Sequence, residues 1–143
     1  MINNTDSIYP FNVPVEYPKV GEDLTPARIG VIDLNSMDVT WMKIPGESNK
    51  FYLPRMTWMP NKDKLMIQQL NRKQNHSRYF VANADNGSTE LLLEDKDEAW
   101  IDVRNTWPYQ DKAGWKFING GKEFLYTSEK DGWSHVYLSL IHI

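Results

Sequence analysis

The chain contains no cysteine, which excludes disulfides, thiolate metal sites and a cysteine nucleophile. Histidine is scarce: His76, His135 and His142 lie far apart, and none falls in a ligand spacing such as H-x-x-x-H. A metal site is therefore not expected, and no motif calls for a cofactor. Charge of one sign is not in excess either. The 16 Lys and Arg against 19 Asp and Glu leave a net charge of −3 and no basic face, which argues against nucleic acid as a partner. No apolar run reaches the ~18 residues of a membrane-spanning helix. Met1 is not followed by the basic and apolar regions of a signal peptide. None of the eight glycines brackets a serine as G-x-S-x-G, so no hydrolase elbow is present. No stretch predicts a helix longer than a turn or two.

What is present is aromatic and repetitive. The aromatic share of 13% favours pleated, half-buried surfaces and so β structure. Ala27-Arg28-Ile29-Gly30-Val31-Ile32-Asp33-Leu34-Asn35-Ser36 reads like Ser77-Arg78-Tyr79-Phe80-Val81-Ala82-Asn83-Ala84-Asp85-Asn86-Gly87. Each has an Arg, an alternating apolar run, a polar turn and a second apolar run. A third copy begins at Ser134-His135-Val136-Tyr137-Leu138. Ahead of the last two copies a second element repeats: residues 57–67 correspond to residues 116–126. Such periods mean an array architecture.

Along the chain, residues 1–26 carry Pro10, Pro14, Pro18 and Pro26, and predict an extended connection lying over a surface. Residues 27–44 predict a hairpin turning at Asn35-Ser36-Met37-Asp38. Four short strands follow, at 56–59, 65–70, 79–82 and 90–93, as the antiparallel meander of a propeller blade. A further blade starts near Gly114, with strands at 115–117, 123–127 and 134–138. The expected fold is all-β: a partial β-propeller of about two and a half four-stranded antiparallel blades over residues 27–138. Residues 139–143 break the pattern where a polar turn was due. They are read either as a non-native tail on a truncated sequence or as the third strand running on.

Several segments resemble a known family. They are Val15-Glu16-Tyr17-Pro18-Lys19-Val20-Gly21, Thr57-Trp58, Gln68-Gln69-Leu70-Asn71-Arg72-Lys73-Gln74-Asn75 and Thr127-Ser128-Glu129-Lys130-Asp131-Gly132-Trp133-Ser134-His135-Val136-Tyr137. In collinear order, over about residues 8–138, they resemble the N-terminal β-propeller of the dipeptidyl peptidase IV family, prolyl-oligopeptidase-type serine exopeptidases, and its Bacteroidetes-type members in particular. The resemblance implies an eight-bladed propeller capping an α/β-hydrolase domain that removes X-Pro or X-Ala dipeptides from peptide substrates. It implies a parent that is periplasmic or secreted, with a homodimer as a candidate assembly. The family's catalytic Ser, Asp and His follow the propeller, and its paired substrate-binding glutamates precede the Y-P-K-x-G segment. Neither set is in this chain, so catalytic residues are none and the fragment alone is expected to be inactive. The alternative is a non-catalytic propeller serving as a binding scaffold.

The resemblance leaves one substrate-binding candidate, Arg104, in the segment Trp100-Ile101-Asp102-Val103-Arg104; the competing reading pairs it with Asp102 or another carboxylate. Gln68, Leu70 and Arg72 are expected to tie strand ends to neighbouring blades. Trp58, Phe117 and Trp133 are expected in the blade core. Glu94, Asp95, Asp97 and Glu98 are expected in a solvated loop. Ser134 and His135 are adjacent in a predicted strand, so they point to opposite faces and cannot form a nucleophile–base pair.

Overall fold

The computed structural model describes residues 2–4, 8–15, 17, 19–60, 63–103 and 114–140. Its regular structure is antiparallel strand, with one 3-10 turn at Asn119–Gly121 among the described residues. β1 (Ile2–Asn4) pairs with β2 (Phe11–Val13), and β3 (Gly30–Ile32) with β4 (Val39–Trp41). A four-stranded meander follows: β5 (Phe51–Trp58), β6 (Lys64–Asn71), β7 (His76–Asn83) and β8 (Thr89–Lys96). The last sheet is three-stranded: β9 (Trp115–Ile118), β10 (Glu123–Ser128) and β11 (His135–Leu140). This is the all-β, bladed architecture that the repeats predict. The expected strands are each found, several of them longer than predicted. Ser139 and Leu140 pair with Phe124 and Glu123 at the end of β11, while 141–143 lie outside the described residues.

The repeat is visible down to single hydrogen bonds. In the β3–β4 turn, Asp33 Oδ1 accepts from the backbone of Asn35 and Ser36, and the Met37 N–H donates to Asp33 O at 2.8 Å. In the β7–β8 turn, Asn83 Oδ1 accepts from Asp85 and Asn86, and the Gly87 N–H donates to Asn83 O at 2.9 Å. The same Asx-type turn thus recurs, with a short polar side chain substituting for a backbone acceptor. Its fifth residue has positive φ in both copies: 63° for Met37 and 72° for Gly87.

The strand alternation of β6 explains the layering. Leu65 and Ile67 face the β3–β4 side, where they pack with Met42 and Ala82, and with Ile29, Val31 and Leu53. Met66 faces the opposite side, where it joins Met59, Tyr79, Val81, Trp115, Phe124 and Tyr126. The central sheet is therefore covered on both faces, as a blade is inside a propeller, and β6 is buried from Leu65 to Leu70.

Three expectations are corrected. Trp58 is 47% exposed and Trp133 76% exposed, so neither is core. Trp58 pairs with Leu65 and shares its face, but the sheet on that side has only β3 and β4 among the described residues. That side packs on β5 at Leu53 and leaves Trp58 half-exposed. Phe117 occupies the equivalent position one repeat later, opposite a complete sheet, and is packed against the aromatic core. Trp133 lies in the loop before β11, outside any sheet face. The third correction is Asp95. It is not in a solvated loop; β8 runs on to Lys96, and Asp95 sits opposite Ser77 at 7% exposure.

Candidate functional site

The face of the central sheet that meets β9–β11 changes character along its strands. At one end are Met66 and Val81; at the other, consecutive cross-strand rows place Arg55, Gln68 and Tyr79 together, then Leu70, Ser77 and Asp95. Polar groups in such a seam must bond to one another, because an unpaired buried polar atom costs about 1–3 kcal/mol. Gln68 meets that demand within the sheet: its Nε2 donates to Ser77 Oγ at 2.9 Å and to Tyr79 Oη at 3.3 Å. Burial pushes the Tyr79 hydroxyl up to about 12, so it is a neutral hydrogen-bonding group at any physiological pH. The Arg55 guanidinium lies 4.2 Å from the Trp115 ring centre. Desolvation lowers its pKa below the ordinary arginine value.

Two loops close this polar end. Residues 97–102 follow β8, with Asp97 Oδ1 accepting from the backbone of Ala99 and Trp100, and Ile101 N–H donating to Gln74 O. Residues 129–134 precede β11; there Lys130 Nζ donates to Tyr126 Oη at 3.2 Å and sits 3.8 Å from the Tyr137 ring centre. Between the loops is a cleft lined by Tyr79, Asp95, Trp100, Asp102, Ser128 and Lys130. Its free volume of about 20 Å³ holds roughly one water. A wider cleft of about 290 Å³ opens at the first-strand edge of the two sheets, lined by Arg55, Thr57, Trp58, Pro60, Trp115 and Lys116.

Among the described residues, no histidine lines either cleft. His76 Nε2 lies 3.3 Å from Glu94 Oε1, with no hydrogen bond formed at that nitrogen. His135 Nδ1 lies 2.8 Å from Asp131 Oδ2. Both histidines thus turn to carboxylates rather than to a hydroxyl, and Ser77 takes its hydrogen bond from an amide. No group of metal-ligating side chains occurs among the described residues. What the arrangement can do is present a polar and aromatic wall.

The segment Gln68 to Asn75 has a building role. Gln68 bonds within its own sheet, Gln69 Nε2 reaches Pro45 O at 2.8 Å, and Arg72 bonds Tyr52 Oη and Glu22 O. Leu70 is simply buried. Asn71 Oδ1 accepts from the backbone of Asn75 and His76 at 3.0 Å each, fixing the β6–β7 turn. Arg104 lies outside the described residues, one position beyond Val103 at the end of the 97–103 loop. Sequence reasoning missed Arg55, Tyr79 and Asp95 as neighbours; the signal was their alternation on strands whose register only the turns fix.

The family described as Dipeptidyl peptidase IV (DPP IV) N-terminal region matches residues 1–141. The rat protein named inactive dipeptidyl peptidase 10 is 27% identical over 117 residues, which cover 80% of this chain and 15% of that protein. A protein from Emericella nidulans named probable dipeptidyl peptidase 4 is 23% identical, covering 91% of this chain and 17% of its own length. The crystal structure of Porphyromonas gingivalis dipeptidyl peptidase 4 superposes with a TM-score of 0.78 at 29% identity, over 94% of this chain and 18% of that one. A solved chain from Bacteroides ovatus superposes at 0.80 with 21% identity, a likeness of fold. The chain thus spans less than a fifth of the length of these relatives. No helix among the described residues is long and apolar enough to cross a membrane.

Proposed function

The chain belongs to the family of dipeptidyl peptidase IV N-terminal regions, and from that premise we propose that it is part of the substrate-gating propeller of a serine-type dipeptidyl peptidase. The parent removes X-Pro or X-Ala dipeptides from the N-termini of peptides, in the periplasm or after secretion. Its nucleophile, base and oxyanion donors belong to an α/β-hydrolase domain outside this sequence. Residues 1–26 are a connection over the propeller and 27–138 its blades. The observation that carries this reading is the collinear family match over 1–141, joined to a fold in which a four-stranded sheet is stacked between neighbouring sheets. The role of the chain is architectural: stacked blades wall a cavity that admits short or unfolded peptides. Arg104, next to the 97–103 loop, is proposed to contact the extended substrate in the parent, and a homodimer is the proposed assembly.

The second reading, a non-catalytic propeller scaffold, draws on the rat relative, whose name marks it inactive. The gene sequence beyond Ile143 separates the two. A hydrolase segment with a G-x-S-x-G elbow supports the enzyme, and further blades followed by a stop support the scaffold. In either case the purified 143-residue chain is expected not to cleave an X-Pro chromogenic substrate.

A further inference from the structure

Two Asn-Gly pairs lie in turns of this chain, Asn86-Gly87 between β7 and β8 and Asn119-Gly120 between β9 and β10. In this dipeptide the glycine nitrogen can approach the preceding side-chain carbonyl carbon with the least hindrance, because no Cβ stands in the way. The folded surroundings decide whether it does so. At Asn86-Gly87 each participating group is held. The Gly87 N–H donates to Asn83 O at 2.9 Å, and Gly87 O accepts from the Lys43 N–H at 2.8 Å. Asn86 Oδ1 accepts from the Ser88 N–H at 2.8 Å. A Cβ on Gly87 would stand 2.2 Å from the Trp41 carbonyl oxygen, so this peptide is pressed against β4. Turning the side-chain amide would break its bond to Ser88, and turning the Gly87 peptide would break its bonds to Asn83 and, across to the neighbouring sheet, to Lys43.

The surroundings of Asn119-Gly120 are the opposite. Both residues are exposed, and Asn119, Gly120 and Gly121 have φ of 49°, 66° and 90° in succession. Nothing lies within 4 Å of the place where a Gly120 Cβ would stand. The side-chain contact of Asn119 is local: its Nδ2 donates to the Glu123 carboxylate.

We propose that Asn119 is a site of spontaneous modification to aspartate and isoaspartate, and that Asn86 is protected from the same reaction by the fold. The Gly120 nitrogen attacks Asn119 Cγ; the new N–Cγ bond closes a succinimide ring as the Cγ–Nδ2 bond breaks. The proton lost by the Gly120 nitrogen leaves with Nδ2 as ammonia. Water then adds to either ring carbonyl and opens the ring, leaving aspartate or isoaspartate, with no oxidant or reductant involved. The product carboxylate faces Glu123, so an amide–carboxylate hydrogen bond is replaced by a like-charge contact. Isoaspartate also lengthens the backbone between β9 and β10. The β9–β10 turn therefore weakens as the protein ages, and the β7–β8 turn does not.

The test is peptide mapping of the folded chain after incubation at mildly alkaline pH in heavy-oxygen water. The tryptic peptide 117–122 should gain the label and the acid mass about tenfold or more faster than peptide 79–96, in which Asn86 stays an amide. In denaturant the two peptides should convert at similar rates, and Asn119→Gln should abolish conversion of the first. Equal rates at the two sites in the folded chain would overturn the proposal. So would faster conversion at Asn86, or no conversion at Asn119 over a period in which the denatured chain converts.

Discussion

The two faces of the central sheet solve the same problem with different chemistry. Towards β3–β4 the contact is aliphatic, built on Met42, Leu65, Ile67 and Ala82 and sealed by the close approach of Gly87 to Trp41. Towards β9–β11 it is aromatic at one end and polar at the other. Tyr79, Trp115, Phe124 and Tyr126 have ring centres 5.8–6.3 Å apart, and Gln68, Ser77 and Asp95 lie beyond them. An aliphatic face binds without direction, since the hydrophobic effect follows buried area. Edge-on rings and a satisfied polar row add direction, fixing how one sheet sits on the next. The loops that line the small cleft emerge at the polar end.

Substitutions on the two faces should separate these roles. Phe124→Ala should cost most, about 3–5 kcal/mol in denaturant unfolding, because the ring is 0% exposed and touches four other aromatics. Gly87→Ala on the other face should cost about 2–3 kcal/mol, from the clash with Trp41 and a positive φ together. Gly120→Ala has only the φ penalty and should cost about 1 kcal/mol. Equal costs for the two glycines would contradict the close approach of the sheets.

Tyr79 gives a pH signature to the aromatic face alone. Its folded pKa is raised from 10.0 to about 12, so below pH 10 both folded and unfolded forms hold the proton and Tyr79 adds no pH dependence to stability. Between those values the unfolded chain releases the proton first. Stability then falls by up to roughly 1.4 kcal/mol for each unit crossed. Tyr79→Phe should remove that share of the alkaline loss, seen as a shallower fall of Tm with pH; an unchanged slope would place the hydroxyl in water. The smallest effect should be that of Trp58→Ala, under about 1 kcal/mol, because the residue is half-exposed and only two strands lie on its face among the described residues. A cost as large as that of Phe124→Ala would restore Trp58 to the core.

Much of this architecture is legible in the sequence. The Arg-strand-turn-strand repeat carries its own turn chemistry, so Asp33 and Asn83 mark equivalent corners without any long-range information. Burial is less legible, because it depends on what covers a face. Trp58 and Phe117 are equivalent in the repeat yet differ in exposure, since one faces two strands and the other four. Asp95 reads as part of an acidic loop in sequence, but the ladder opposite Ser77 extends through it. The seam row of Arg55, Gln68 and Tyr79 depends on the register across three strands, which no single stretch encodes. Arg104, the one binding residue suggested by resemblance, lies outside the described residues.

β6 and β7 form a middle layer held from both sides, whereas the flanking sheets are each held from one among the described residues. Amide hydrogen exchange of the intact chain tests it directly. The amides of Met66, Ile67, Tyr79 and Val81 should exchange slowest, and those of β3, β4 and β11 markedly faster. Exchange of β3–β4 or β11 as slow as that of β6 and β7 would mean that no such middle layer exists.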